Sequence, residues 1–549
     1  MTPDQEMLFT SHRSPVYGLR GMVATSQPLA VAAGLEILAQ GGNAADAAIA
    51  TAAALNVTEP TSTGLGGDCF ALYYDSSNGQ VTAINGSGRA PKSLTIECLM
   101  KEGFGDNLPP LHPYTITVPG ACAGWCDLLA RHGRLSLNQV LIPAIRLAEQ
   151  GFPVAPVTAY FWSRSAERLL NAPGGIELTI DGHIPHAGEI FRNPGLARTL
   201  HKIAEGGKSA FYQGEIAEAI AHVVSQAGGC LSEDDLATHT STWEQPISTT
   251  YRNVRVWECP PNGQGLAALL ALNLLEGFDL QSLPPLSARR LHLMIEAMRL
   301  AFADSRWYVA DPAFNPAPLE ELLSKAYAAE RRKLIRPHRA TLDHTHGTPT
   351  SSSDTVYLCT VDSEGNACSF INSNYMGFGT CIVPAGWGFT LQNRGMGFSL
   401  DPSHPNALQP GKRPYHTIIP GLLTIDNKAP SSLPNQLYAP FGVMGGFMQP
   451  QGHMQVVLGL VEDGLDPQAA LDRARFCIDG GAAGGRIALE AGISADVQAE
   501  LSNMGHDVYP VHGYARAVFG RGQIIQRDAH TAVLCGGTDP RADGCAMSL

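Results

Sequence analysis

From Arg336 to Ser353 the chain runs RPHRATLDHTHGTPTSSS, a stretch with little apolar content. At Thr355 it changes abruptly to TVYLCTVD, then Ser363-Glu364-Gly365, then NACSFIN. The first stretch, dense in Pro, Thr, Ser and His, reads as an exposed loop or linker. The second holds two strand-forming runs joined by a short Gly-containing turn, the pattern of a β-hairpin. The boundary falls at Asp354/Thr355, so Thr355 opens a strand and is held rigidly at a sheet edge.

A Thr hydroxyl is a poor nucleophile unless a base takes its proton. If Thr355 became a chain terminus, its own α-amine could be that base, because such amines titrate near ~8. One residue would then supply nucleophile and base. Taken by itself, a Thr at the start of a strand is ordinarily structural.

Over 549 residues, hydrophobic side chains make up 44% and charged ones 16%, the balance of a globular protein. A net charge of −13 without a Lys/Arg run argues against a nucleic-acid or anionic-membrane partner. No segment has the ~20 apolar residues of a membrane helix. The start, MTPDQEMLFTSHRSPVYGLRG, is not a basic region followed by an apolar one, so a cytoplasmic location is expected. Pro28 to Leu55 reads as two helices broken at Gly41-Gly42, with Asn43 capping the second. Gly-rich Thr63 to Asp68 precedes a strand over Cys69 to Tyr74. From about Pro119 to Tyr308 the chain reads as mostly helical, with helices at Ser136 to Glu149, Gly195 to Glu205 and Ser287 to Val309.

Other chemistries find little support. Twelve cysteines are scattered, and Cys122 and Cys126 have no second pair or His in zinc register, so reduced, mostly buried thiols are expected. Gly206-Gly207-Lys208-Ser209 has Lys202 where a phosphate loop needs Gly. H-E-x-x-H and G-x-S-x-G do not occur.

Many separate motifs give the chain a specific likeness. They are GGNAADAAIA (Gly41 to Ala50), EPTSTGLGGD (Glu59 to Asp68), VPGACAGW (Val118 to Trp125), AFYQG (Ala210 to Gly214) and LAFADSRWYVADP (Leu300 to Pro312). After the linker come TVDSEGNA (Thr360 to Ala367), FGT (Phe378 to Thr380), KRP (Lys412 to Pro414), MGG (Met444 to Gly446) and DPRADG (Asp539 to Gly544). In this order they resemble the γ-glutamyltransferase family of N-terminal-nucleophile hydrolases, over nearly the whole chain. The resemblance implies an α+β fold, an αββα four-layer sandwich. It implies a precursor cut between Asp354 and Thr355 into a large part, 1–354 with 336–354 as the pre-cleavage linker, and a small part, 355–549. The two would form one intertwined domain and a heterodimer, with room for further pairing. Thr355 is the implied nucleophile and Ser373 its helper hydroxyl, with the Gly445 and Gly446 N–H groups as oxyanion hole. No metal or organic cofactor is implied.

The sequence departs from the family where the substrate's α-amino acid end is held. The Arg that binds the α-carboxylate falls on Ser87, with Arg89 displaced by two. The acidic residue that binds the ammonium falls on Gly397, and its assisting Gln on Arg394. Two hydroxyls after K-R-P become His416 and Thr417. An ammonium beside Arg394 would be repelled, whereas a carboxylate would gain a charge-assisted pair. The expected substrate is a small amide with a carboxylate and no α-amino group, bound by Arg394, Arg89, Tyr375, His416 and Thr417. Bulky Tyr375, Phe378, His416 and Phe447 would narrow the pocket. The runs NSNYMGFG, QNRGMGFSLDP and MGGFMQPQG look like the oxamate amidohydrolase and acylase branch. Hydrolysis of oxamate to oxalate and ammonia, a step of purine breakdown, is the first reading. A glutathione hydrolase and a glutaryl-type acylase are the alternatives.

Overall fold

A computed structural model describes residues 13–105, 108–342, 355–426 and 433–549. The hairpin is where the sequence puts it. Val356–Asp362 and Ala367–Ser373 pair antiparallel, with Val356 opposite Asn372. Asp362 Oδ1 accepts the Glu364 and Asn366 N–H groups at 3.0 Å each. Gly365 has a φ of 87°, the left-handed conformation that favours glycine.

The hairpin is not at an edge. It lies in the middle of a seven-stranded sheet ordered Cys545–Ser548, Gly21–Thr25, Val356–Asp362, Ala367–Ser373, Asp68–Asp75, Gln80–Gly86, Thr242–Glu244. Every residue of both hairpin strands is buried. The alternating side chains feed two different cores. Val356, Leu358, Cys368 and Phe370 join a helical layer that includes Pro28–Ala39, Ala44–Thr58, Ala121–His132 and Leu137–Gln150. Tyr357, Cys359, Val361 and Ile371 face a second sheet. A strand covered on both faces reads as a nearly continuous apolar run, which is what TVYLCTVD is.

The second seven-stranded sheet runs Val16–Gly18, Leu534–Thr538, Arg521–Arg527, Asn435–Met444, Gly421–Asp426, Val254–Glu258, Ile247–Tyr251. Its far face carries Gly265–Leu275, Ala288–Tyr308 and Met448–Val461. The molecule is therefore the four-layer αββα sandwich expected. Both sheets mix strands from before and after the 336–354 stretch, so the two parts share one fold.

Asn43 caps the second helix with a full capping box, and Ser136 and Ser287 cap theirs. Five strands were hidden in the region read as mostly helical: the short pair Phe152–Pro153/Ile190–Phe191, Thr242–Glu244, and the hairpin Ile247–Tyr251/Val254–Glu258. The alternating burial of ISTTY and VRVWE, joined by Arg252-Asn253, was the available signal. The linker also differs from expectation at its start. The Ala340 N–H donates to the Met504 carbonyl at 2.7 Å, and the Thr341 N–H to Glu296 Oε2 at 3.0 Å. Its remainder, including Asp354, lies outside the described residues.

Candidate active site

Three strands meet at one margin of the first sheet. Thr355 and Ser373 continue the hairpin register one step beyond Val356 and Asn372, and Ser373 stands opposite Asp68 on the next strand. Alternation puts all three side chains on the inter-sheet face, in line with Tyr357, Ile371 and Phe70. All three residues are fully buried. Thr355 Oγ1 and Ser373 Oγ lie 3.1 Å apart. Ser373 Oγ also accepts the Tyr375 N–H at 2.9 Å and Arg394 Nη2 at 3.4 Å.

Asp68 was not singled out from sequence, although it ends the quoted EPTSTGLGGD run. Its carboxylate takes His416 Nε2 at 2.9 Å, Gln392 Nε2 at 3.0 Å, and the N–H groups of Gly88 at 2.9 Å and Gly120 at 3.2 Å. Burial works against ionisation, but the His416 hydrogen bond, with the Arg394 charge behind it, holds the carboxyl below its usual range. His416 is pushed down to about 3 by burial first, then by Arg394, so it is a neutral imidazole. Its Nε2–H donates to Asp68, and its Nδ1 accepts the Ile418 N–H at 3.3 Å. His416 positions Asp68 and is not free to act as a base.

Arg394 is fully buried. Its Nη1 donates to Thr417 Oγ1 at 2.7 Å, and its guanidinium lies 4.3 Å over the Tyr375 ring. Nε has no partner, and among the described residues no carboxylate is within ion-pair distance. Burial pulls its pKa down to about 10, so it remains a cation at neutral pH. The structure thus brings Thr355, Ser373, Tyr375, Arg394, His416 and Thr417 together. The loop after Ser373 is strained, with φ of 78° at Tyr375, 58° at Phe378 and 64° at Cys381. Such residues cost about 1–3 kcal/mol each and persist where surroundings fix them. Here the Phe378 N–H on the Thr61 carbonyl (3.0 Å) and the Thr380 N–H on that of Leu391 (2.8 Å) do so.

The opposing sheet contributes the glycine pair. Tyr357 packs on Gly442, where an added Cβ would meet its ring at 2.5 Å, and the strand ends at Met444. Gly445 and Gly446 follow at φ of 133° and 58°. Their carbonyls take the Met448 and Gln449 N–H groups at 2.9 and 3.2 Å. Their own N–H groups find no acceptor among the described residues. They precede Met448–Val461, a helix N-terminus that favours negative charge.

A model described as gamma-glutamyltranspeptidase matches residues 30–549. The chain belongs to this family. Cephalosporin acylase from Bacillus halodurans superposes with a TM-score of 0.92 at 47% identity, covering 100% of this chain and 99% of that one. The glutathione hydrolase-like YwrD proenzyme of Bacillus subtilis is 36% identical over 97% of this chain and 99% of its own length. The oxamate amidohydrolase proenzyme of Klebsiella pneumoniae is 31% identical over 96% and 98%. The protein is an amide hydrolase of the N-terminal-nucleophile type.

Family features for an α-amino acid end are absent here for reasons of packing. A side chain at Gly397 would meet the Tyr415 carbonyl oxygen at 2.5 Å, so this backbone leaves no room for an acidic residue. The Ser87 hydroxyl accepts Asn262 Nδ2 at 3.0 Å. Arg89 is not drawn into the Thr355 cluster: its Nη1 donates to the Thr240 carbonyl at 3.2 Å, beside the guanidinium of Arg413. The expected narrowing by four bulky residues is not what the walls show. Phe378 packs on Trp162, ring centroids 5.6 Å apart, inside the helical layer. Phe447 does line a cavity, but that cavity measures about 700 Å³ and opens beside Gly445. Cys477 in its wall is pushed up to about 12 by burial and is no nucleophile. Cys122 is buried on the helix Ala121–His132, and all twelve cysteines are free.

Proposed function

We propose that this protein cuts its own Asp354–Thr355 bond and then hydrolyses amides whose acyl group carries a free carboxylate and no α-amine. Processing would release a large part, 1–354, and a small part, 355–549, held together by the shared sheets. Thr355 Oγ attacks the substrate carbonyl carbon and its proton passes to the new α-amine. The amine then protonates the leaving nitrogen as the C–N bond breaks, and water hydrolyses the Thr ester. The nearby Arg394 charge favours the neutral, basic form of that amine. Ser373 Oγ, which accepts the Tyr375 N–H and Arg394, lies 3.1 Å from Thr355 Oγ1 and can share a hydrogen bond with it. The unengaged N–H groups of Gly445 and Gly446 suit the oxyanion.

The observation that carries the substrate class is Arg394, a buried cation with hydroxyl partners and, among the described residues, no carboxylate within ion-pair distance. An acyl carboxylate there would complete an ion pair with bidentate geometry. Between the readings, the cavity beside Gly445 favours a larger substrate. Oxamate has six heavy atoms and would leave most of about 700 Å³ empty, whereas drug-sized ligands fill ~300–1,000 Å³. The acylase reading, with a bulky leaving amine, fits best. The test compares kcat/KM for glutaryl and succinyl anilides, oxamate and γ-glutamyl anilide. Glutaryl or succinyl amides should lead. A γ-glutamyl substrate in first place would overturn the Arg394 assignment, and oxamate in first place the acylase reading.

A further inference from the structure

The cavity beside Gly445 has a chemistry of its own. It is walled on one side by Pro156–Arg164 and Ala166–Asn171 and on the other by Gly513–Phe519. Met376 and Gly445 both line it, so it adjoins the loop that follows Ser373 and the first glycine of the pair. Tyr160 and Tyr514 stack face to face at 4.2 Å and 15°, joining the two walls, and Phe161 and Phe447 also line the space.

Two guanidiniums border the same space. Arg164 Nη1 reaches the Tyr160 hydroxyl at 3.5 Å, and Arg168 Nη2 donates to Ser165 Oγ at 2.7 Å. Among the described residues neither has a carboxylate within ion-pair distance. Arg306 stands behind the wall, 3.6 Å over the Phe447 ring and bonded to the carbonyls of Gly480 and Gly481, and it too lacks a carboxylate. Among the described residues the one lining acid is Asp479, whose Oδ1 takes the Tyr509 hydroxyl at 2.8 Å. Positive charge therefore outweighs negative around an aromatic slot.

We infer that this cavity is a leaving-group subsite selective for amines that carry both a planar ring and a carboxylate. The ring would lie beside the Tyr160–Tyr514 stack, among Phe161 and Phe447, and the carboxylate would pair with Arg164 and Arg168. This goes beyond the acyl side, where Arg394 works, and rests on the acylase reading above. Such a substrate has an anion at each end, one for Arg394 and one for the cavity arginines, with the scissile amide at Thr355 between them.

The experiment uses the processed enzyme and three amides of one acid: glutaryl-4-aminobenzoate, glutaryl anilide and glutaramic acid. The aminobenzoate amide should exceed the anilide in kcat/KM by about fivefold, the size of one partly screened ion pair, and the anilide should exceed glutaramic acid. Arg164→Gln with Arg168→Gln should bring the aminobenzoate-to-anilide ratio near one. The paired Lys substitutions should keep most of the preference, separating charge from loss of shape. A wild-type ratio near one, or a ratio indifferent to the Gln pair, overturns the subsite while leaving the acyl reading intact. Failure to cut any glutaryl amide by an enzyme that has processed itself overturns both.

Discussion

Arg394 and Arg541 are both buried arginines in this sandwich, and they differ in their company. Arg541, from the DPRADG run, meets two buried carboxylates, Glu490 and Asp539, and the carbonyls of Leu471 and Arg473. Burial opposes its charge, but Asp539 and Glu490 outweigh it, and its pKa is raised. Arg475 joins Asp539 at 2.9 Å and Arg516 joins Glu490 at 2.7 Å, closing the network. Arg394 has two hydroxyls and an aromatic face, and its pKa falls to about 10. A buried cation inside a closed network is architecture. One with no carboxylate within ion-pair distance among the described residues, only the more distant Asp68 charge, is available to a ligand, because the cost of its desolvation is recovered when an anion arrives.

The largest effect belongs to the residue beside that open cation. Thr355→Ala should leave one intact chain of 58.3 kDa with no activity, while Thr355→Ser should process and turn over. Denaturing gels and intact mass read the outcome directly. Cleavage of the Ala variant at Asp354–Thr355 would remove the self-processing mechanism.

The two arginines should then separate by assay. Arg541→Leu leaves Glu490 and Asp539 short of a partner and should cost ~3–5 kcal/mol of stability in urea unfolding. Arg394→Met replaces an unpaired buried charge by an apolar chain, which is often neutral or stabilising. Its kcat/KM on a glutaryl amide should fall about 100-fold, or ~2.7 kcal/mol of binding lost, with processing unaffected. If Arg394→Met unfolded the protein as Arg541→Leu does, Arg394 would belong to the architecture after all.

The same contrast explains what was legible in the sequence. Thr355 opens the strand that the hairpin pattern marks locally, whereas Ser373 and the glycine pair were legible through the family resemblance, and the structure puts them at strand ends. Arg394 stood out because it replaces an amide where the family binds an ammonium. Asp68 did not, because its importance lies in four donors gathered from distant loops, and no local pattern announces them. Arg89 misled because closeness in sequence to Ser87 says nothing of direction: its guanidinium goes to Thr240. The cavity was the least legible. Its walls join helices near residue 160 to a turn near residue 514, and only the assembled fold shows their spacing. The strands at Ile247–Tyr251 and Val254–Glu258 were lost for a related reason. Their alternation is short and lies between long helical runs.

A third arginine gives the comparison its middle case. Arg299 and Glu296 are both fully buried, one helical turn apart, with Arg299 Nε 3.6 Å from Glu296 Oε1. That contact is too long to offset burial for either partner. Burial lowers the Arg299 pKa and raises that of Glu296 from 4.5 to about 7, against the Thr341 N–H and the Arg299 charge. The sign follows from proton counts. Between pH 4.5 and about 7 the folded protein holds the Glu296 proton and the unfolded chain does not. Stability therefore falls as pH rises through that window, by up to ~3 kcal/mol from this group, and is flat above it. Glu296→Gln cannot titrate, so the difference in unfolding free energy between variant and parent should shift in the variant's favour from about pH 4 to about pH 8. Parallel curves across that range would mean that Arg299 compensates Glu296 fully, placing this pair with Arg541 rather than between the two extremes.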